Sequence, residues 1–509
     1  MNLKNVTIGL FATTVLFSSC TKDFREINTD RNVPTAVNAD LLLSGVIRGM
    51  INHQVDEAWG IGNLVAQYNA KIQFVNEDRY LWGERNGVWN NVYGNNRNLQ
   101  NIFTQVGGSE SDAYHGIALV LKSWMFSIAT NAYGDIPYSE AGQAKTGALY
   151  QPKYDKQEDV YTGILADLKK ANEILARSTN AVSGDILYGG GTGAAIKWRR
   201  LANSLRLRLL LRISKKKNVN AEMQSILNDP ANNPLMMSNA DNAELRYQAQ
   251  APNQWPLYGA RVGSFDEIRV SKTLSDRLTA LGDTRLNVFG RPSQKSVAAG
   301  TPKIEGIPNG LGDVPALNFN GGPQGVSRVG YTFACLVCND PGQAVPDPSA
   351  PRGIIMNYAE LQFILAEARE RGMITTGDAE TYYRNGIMAN FAYWQSVVPT
   401  SYGLNVAMPT DYLTQPAVAY TGATSEKLDK IYLQRWIAMY FTGLESWFEW
   451  RRTGSPAIVP GPDNLNENKV PIRYFYPLVE QSLNGKNRTE AVGRQGGTDD
   501  LNTKMWLLQ

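Results

Sequence analysis

Apolar residues recur along this chain with the spacing of helices far more often than with that of strands. Residues 155–177 show it best. Val160, Tyr161, Ile164, Leu165, Leu168, Ala171 and Leu175 make one stripe, and Asp155 with Glu158 fits a capping box. Residues 194–213 repeat the pattern through Trp198, Leu201, Ala202, Leu205, Leu209 and Ile213, with Arg199, Arg200, Arg206, Arg208 and Arg212 between them. That interleaving favours a solvated or salt-bridged face over a nucleic-acid surface. The same period predicts helices at 38–54, 58–74, 86–105, 111–131, 271–281, 357–371, 378–395 and 426–450. The pattern breaks at 283–352, which is rich in Gly and Pro, and again at 396–424 and 453–470. Long irregular stretches of this kind are usually functional loops. Strands are expected only as short pieces near 326–337 and 472–476. The layout is an all-α scaffold of paired helices with a loop-rich insertion at about 240–355.

The first twenty residues, MNLKNVTIGLFATTVLFSSC, follow another logic. One Lys precedes an apolar run from Val6 to Phe17, too short to span a bilayer, and small residues then lead to Cys20. This is a signal peptide over 1–19 whose end resembles a lipobox, with Cys20 as the acylated residue carrying palmitate and similar chains. Each buried CH₂ adds about 0.8 kcal/mol, so several chains would hold the protein on a membrane with no spanning helix. Residues 20–37 read as a tether, and 38–509 as a single domain. No later run of apolar residues is long enough to cross a bilayer.

Composition removes several classes. Fifty Lys and Arg against 47 Asp and Glu give a formal charge of +3, too balanced for a dedicated nucleic-acid binder. Three Cys exclude a disulfide scaffold, and two His, His53 and His115, leave little for a zinc site. No P-loop, H-E-x-x-H, G-x-S-x-G or calcium loop is present, so no cofactor or metal is expected. Gly189–Gly193 reads as a linker before a helix, not a phosphate loop. Cys335 and Cys338 form a C-x-x-C for which a local disulfide competes with two free thiols. Glu360 and Glu367 share a helix face, where a carboxylate pair could hydrolyse glycosides, but neighbouring Arg369 and Arg371 favour ion pairing. The chain holds 11 Trp, 24 Tyr and 15 Phe, so rings are available for stacking. Those in irregular segments, beside amide and guanidinium groups, are the candidates to stack on a sugar: Tyr80, Trp82, Arg85, Trp255, Tyr258 and Phe265.

Several blocks, in order, resemble the SusD/RagB family of outer-membrane nutrient-binding lipoproteins, most closely its SusD-like branch. They are Asn131-Ala-Tyr-Gly-Asp-Ile-Pro-Tyr-Ser-Glu-Ala141, Leu281-Gly-Asp-Thr-Arg-Leu286, the segment from Asn357 to Gly372, the segment from Gln434 to Gly454, and Ile472-Arg-Tyr-Phe-Tyr-Pro477 with Glu480 and Asn484. Thr284 stands where the family's D-P-R-L turn has Pro. The resemblance implies tetratricopeptide-like helix pairs with a loop-rich half packed against them. It implies a SusC-like TonB-dependent β-barrel as partner, capture of oligosaccharides at the cell surface, an outer-membrane location facing outward, and no catalysis. A peptide-binding member of the family is the alternative, with a surface glycoside hydrolase behind it. On the same basis Glu360, Glu367, Glu445, Arg451 and Arg452 are scaffold pairs and caps.

Overall fold

The computed structural model describes residues 38–106, 112–338, 340 and 345–509. The leader, Cys20 and the tether lie outside the described residues. Helix α1 (Ala39–Glu57) runs into a π-helical turn, Ala58–Gly62, and a last turn, Asn63–Val65. A short strand, β1 (Asn69–Lys71), follows. Then come α2 (Gly87–Gln105), α3 (Ala113–Tyr133), α4 (Gln157–Arg177) and α5 (Ala194–Ile213). The second half holds β2 (Ala243–Arg246), β3 (Ile268–Val270), α6 (Lys272–Ala280), α7 (Gln294–Ala298) and β4 (Arg352–Met356). It continues with α8 (Tyr358–Glu370), α9 (Ala379–Val397), α10 (Thr424–Ala438) and α11 (Glu445–Thr453), and two short helices, Glu480–Leu483 and Gly485–Arg494, follow. Consecutive helices pack as pairs: α1 on α2, α3 on α4, α4 on α5, and α8 on both α9 and α10. The strands make two antiparallel pairs, β1 with β3 and β2 with β4, in register Asn69 to Val270 and Arg246 to Arg352.

Sequence chemistry accounts for these elements. In α3 every residue but Tyr114 and Lys122 is buried, and an apolar helix of that kind belongs at the centre of a bundle. Its start is capped by Asp112, whose carboxylate accepts from Tyr114 N at 2.8 Å. Asn357 caps α8 through Glu360 N at 2.8 Å, and Asp378 caps α9 through Thr381 N at 2.8 Å. The capping box expected at Asp155 is absent: α4 starts after Lys156, and Asp155 instead accepts from Tyr138 N and Ser139 N.

Two helices differ from the periodic reading. The pattern over 58–74 looks helical, yet the chain leaves the helix after Val65, Gln67 takes φ 56°, and β1 pairs with β3. The expected helix 426–450 is two helices, α10 and α11. Phe441 takes φ 62° and Gly443 takes φ 67° between them. The break lets backbone meet backbone: a Cβ on Gly62 would stand 2.1 Å from the Gly443 carbonyl. Periodicity carries no signal for such an approach. The strand expected at 326–337 is reduced to bridges from Arg328 to Arg269 and from Val329 to Gly290, and 472–476 is irregular, with a bend at Arg473.

The interior holds charge as well as rings. Arg206, Arg208 and Arg212 of α5 are buried. Arg208 Nε sits 2.8 Å from Glu360 Oε1, and Arg212 bonds Glu445 and lies 3.5 Å from Glu449. Arg435 bonds Glu449 at 2.8 Å, and Arg452 bonds Glu367 at 2.6 Å. Burial alone would raise the Glu449 carboxyl; Arg435, Arg452 and Arg212 outweigh it and hold it well below the usual range. Four guanidinium groups thus face four carboxylates, joining α5 to α8, α10 and α11. Arg451 differs from its expected pairing: it donates to backbone carbonyls of Ile472 and Asn131 and lies 4.5 Å over the Trp447 ring.

Candidate functional site

Four of the six residues singled out for stacking are inside the protein. Tyr80, Trp82, Trp255 and Phe265 are each at most 4% exposed. The Trp82 indole donates to Glu77 O at 2.9 Å and is met edge-on by Trp447 and Tyr474. Tyr80, at φ 64°, packs against Trp82. Trp255 sits between Tyr247 and Phe441, and Phe265 lies 4.8 Å beneath the half-buried ring of Trp59. The physical reason is area: an aromatic ring removes about 150–250 Å² from water, worth roughly 4–6 kcal/mol, so a loop that can fold its rings inward does so. Arg85 and Tyr258 remain half-buried at the surface, Arg85 lying 3.5 Å from Glu77. Tyr80, Trp82 and Trp255 do lie outside regular helices, but Phe265 sits in a short helix, Val262–Asp266, and Tyr258 in a 3-10 turn, Pro256–Gly259, and the sequence does not show which way any of these rings turns.

A cavity of about 570 Å³ opens in the loop-rich half, between the turn that follows Leu286–Phe289, α7, Tyr331 and Leu404. Pro292, Val297, Ala298, Tyr331 and Leu404 form its apolar wall, and Asn287, Arg291, Gln294 and Asp340 supply polar groups. Local folding positions each of them. Arg291 N donates to Arg328 O at 3.0 Å, which threads the turn beside residues 328–331. Ser293 caps α7 by accepting from Ser296 N, so Gln294, Val297 and Ala298 stand along the cavity.

The disulfide between Cys335 and Cys338 supports one edge of this site. Both half-cystines are buried while Leu336 and Val337 between them are exposed. Cys338 O accepts from Arg291 Nη1 at 2.6 Å, and Leu336 N donates to Tyr258 O at 2.9 Å. One predicted residue, Tyr258, is thereby tied to the cavity's rim through the C-x-x-C turn. Tyr402 lies 5.9 Å from Tyr331, ring to ring, and its hydroxyl accepts from Asp347 N at 2.6 Å.

Charge beneath the cavity is organised around Asp340. Arg291 and Arg328 pair with it at 3.3 and 3.0 Å, Tyr331 Oη donates to it at 3.0 Å, and Gln294 Nε2 at 3.2 Å. Burial opposes ionisation, but Arg291, Gln294 and Arg328 hold the Asp340 carboxyl below its ordinary value. Burial raises the Tyr331 phenol and lowers the Arg291 guanidinium, which lies 4.6 Å over that ring. Arg269, next in the cluster, is brought down to about 10 by burial. Asp340 is therefore an ionised acceptor surrounded by donors, a fixed polar anchor. Asn287 spends one amide proton on Asn405 O at 2.8 Å and keeps its carbonyl. None of Asn287, Arg291, Gln294, Tyr331 or Asp340 stood out in the sequence. The signal available was their membership of the Gly- and Pro-rich stretch that also holds the C-x-x-C.

The pair Glu360 and Glu367 is fully buried in the ion-pair network. With both carboxylates spent on Arg208, Arg435 and Arg452 and closed off from solvent, the pair is not placed to flank a glycosidic bond.

Residues 31–477 match the family model described as starch-binding associating with outer membrane, the SusD-like family. The chain belongs to this family. Proteins of the SusD-like family are associated with the outer membrane, and among the described residues no helix is long and apolar enough to cross one. Solved SusD-like structures share the fold over nearly the whole chain. A SusD homologue from Bacteroides fragilis is 29% identical, with a TM-score of 0.78 over 93% of this chain and 99% of its own. A second homologue from that organism is 26% identical, with a TM-score of 0.79 over 93% and 100%. A protein described as chitin-binding is 27% identical, with a TM-score of 0.76 over 92% and 99%. A comparison with curated proteins yields no match.

Proposed function

We propose that this SusD-like chain binds oligosaccharides at the cell surface, in the cavity beside Tyr331, and passes them to a SusC-like TonB-dependent barrel with no bond made or broken. The observation that carries the reading is the cavity itself: an apolar wall facing a few fixed polar groups, the composition of a site that orients a small ligand. A sugar ring offers the complement, C–H faces for Pro292, Leu404 and Tyr331, and hydroxyls for the Asn287 carbonyl, Gln294 and Asp340. Family membership and a chitin-binding relative supply the substrate class. Moderate affinity suits the task, because the ligand has to leave again, and a shallow site with few ordered side chains provides it. Acyl chains on Cys20 would hold the protein at the outer face.

Calorimetric titration with glucose and N-acetylglucosamine oligomers tests the site. Ala298→Trp fills the cavity from an exposed position and is expected to weaken binding at least tenfold while the fold persists. Unchanged affinity refutes the assignment. Release of shorter sugars by the pure protein refutes the absence of chemistry. Binding on a peptide array with none on a glycan array would favour the peptide alternative. Loss of fatty-acid labelling in Cys20→Ala, and co-purification of a barrel with the acylated form, test the anchor and the partner.

A further inference from the structure

A second cavity, of about 840 Å³, lies directly behind the first. Its sides are α6 and the segment that returns from α7, residues 303–306, with Phe319 and Asn320 closing one end. The partition is one layer thick. Gly290 lines the first cavity and Ile304 the second, and a Cβ on Gly290 would stand only 2.8 Å from Ile304 Cγ2. The return segment is fixed to the base of α7: Ser293 N donates to Lys303 O at 2.8 Å, and Ser293 Oγ donates to Glu305.

The two rims meet at consecutive exposed residues. Gln294 borders the first cavity, and the next residue, Lys295, sends its ammonium to Asn320 O and Oδ1 of the second at 3.1 and 3.2 Å. The second cavity is built for a neutral polar ligand. Lys303 and Glu305 bring one charge of each sign, and Lys272 pairs with Asp276 at 2.6 Å. Asn320, held by Gly325 O and Lys295, fixes the polar end, and Phe319 brings a half-buried ring. Ile304, Ala280 and the Phe319 ring give its lining an apolar share beside these polar groups.

We infer that the second cavity is a further carbohydrate subsite, taking sugar units of the same ligand that occupies the first, so that one chain crosses α7 and is held on both sides. The inference rests on the oligosaccharide reading above. A helix is about 10 Å across, so only longer oligomers reach both cavities. Joining two weak sites raises apparent affinity by effective concentration, without any new contact.

The test is a ladder of N-acetylglucosamine and glucose oligomers, from the disaccharide upward, titrated against the full chain. Wild type is expected to bind the long members at least ~10-fold tighter than the short ones. Ala280→Trp, an exposed position on the wall of the second cavity, is expected to flatten the ladder and leave short oligomers unchanged. Thr279→Trp, one residue earlier, repeats the block should Ala280→Trp misfold. Ala298→Trp is expected to weaken every member. A ladder unaltered by both α6 variants, with binding still lost in Ala298→Trp, overturns the second subsite alone. A ladder unaltered by Ala298→Trp, or no binding of either series, overturns the reading on which it rests.

Discussion

The ion pair between Arg208 and Glu360 can be weighed from its surroundings. Both side chains are at most 3% exposed, with Arg208 also donating to Ile355 O at 2.9 Å. Glu360→Met removes one carboxylate and leaves Arg208 facing Glu445 only at 3.9 Å. Stranding a buried charge in this way costs about 3–5 kcal/mol. The compact unit Ala39–Gln509 has an unfolding entropy of about 1 kcal/mol/K at roughly 2.1 cal/mol/K per residue, so the melting temperature should fall by about 3–5 °C. Arg208→Met should cost a similar amount. The double variant leaves three guanidinium groups against three carboxylates, with Arg435 still bonded to Glu449, and should recover most of the loss. Scanning calorimetry of the four proteins closes the cycle. Additive losses, about 6–10 kcal/mol in the double variant, would refute the claim that the two charges matter chiefly to each other.

Three further outcomes are expected. Burial lowers His53 to about 4, against about 6.5 unfolded, so the unfolded chain binds the extra proton in that window. The stability this neutral histidine contributes is complete above about pH 6.5 and disappears as pH falls to 4, a change of at most about 3 kcal/mol, less whatever the Glu57 carboxyl 3.5 Å away returns; the difference between wild type and His53→Gln in urea melts across that range reads it. Gly62→Ala has an ordinary helical φ and only the Gly443 carbonyl to fight, so it should cost about 3 kcal/mol, and a melting temperature equal to wild type would falsify the close approach. Cys335→Ser with Cys338→Ser should cost about 2 kcal/mol for so short a loop and weaken glycan binding severalfold by releasing the carbonyl that holds Arg291; unchanged titrations would detach the disulfide from the site.

What could be read from the sequence depends on the range of the interaction. Helices α3, α4, α5, α8 and α9 follow from local periodicity and local caps such as Asn357 and Asp378. The splits are set by distant partners. The chain turns at 439–444 because Gly443 meets Gly62 across the fold, and it leaves the helix at Val65 because β1 has β3 to pair with. Asp155 resembles a cap until its real partners, the amides of Tyr138 and Ser139, are in view. The same limit applied to the site. A ring in a loop can face outward or inward, and only the assembled core decides that Trp82 meets Trp447 or that Trp255 meets Phe441. The cavity beside Tyr331 draws on residues from 287 to 404, none with a helical or strand pattern to announce it.

The charged interior also constrains how the chain is made. Arg208 finds its carboxylate 152 residues later and Arg212 finds its own 233 residues later. A nascent chain that has emerged only as far as α5 carries these two cations, and Arg206 beside them, destined for the interior and still without the carboxylates that face them in the fold. The N-terminal half can coil early but cannot dry out until the far end arrives, so loss of the chain from α8 through α11 should be felt first as wetting and loosening around α5.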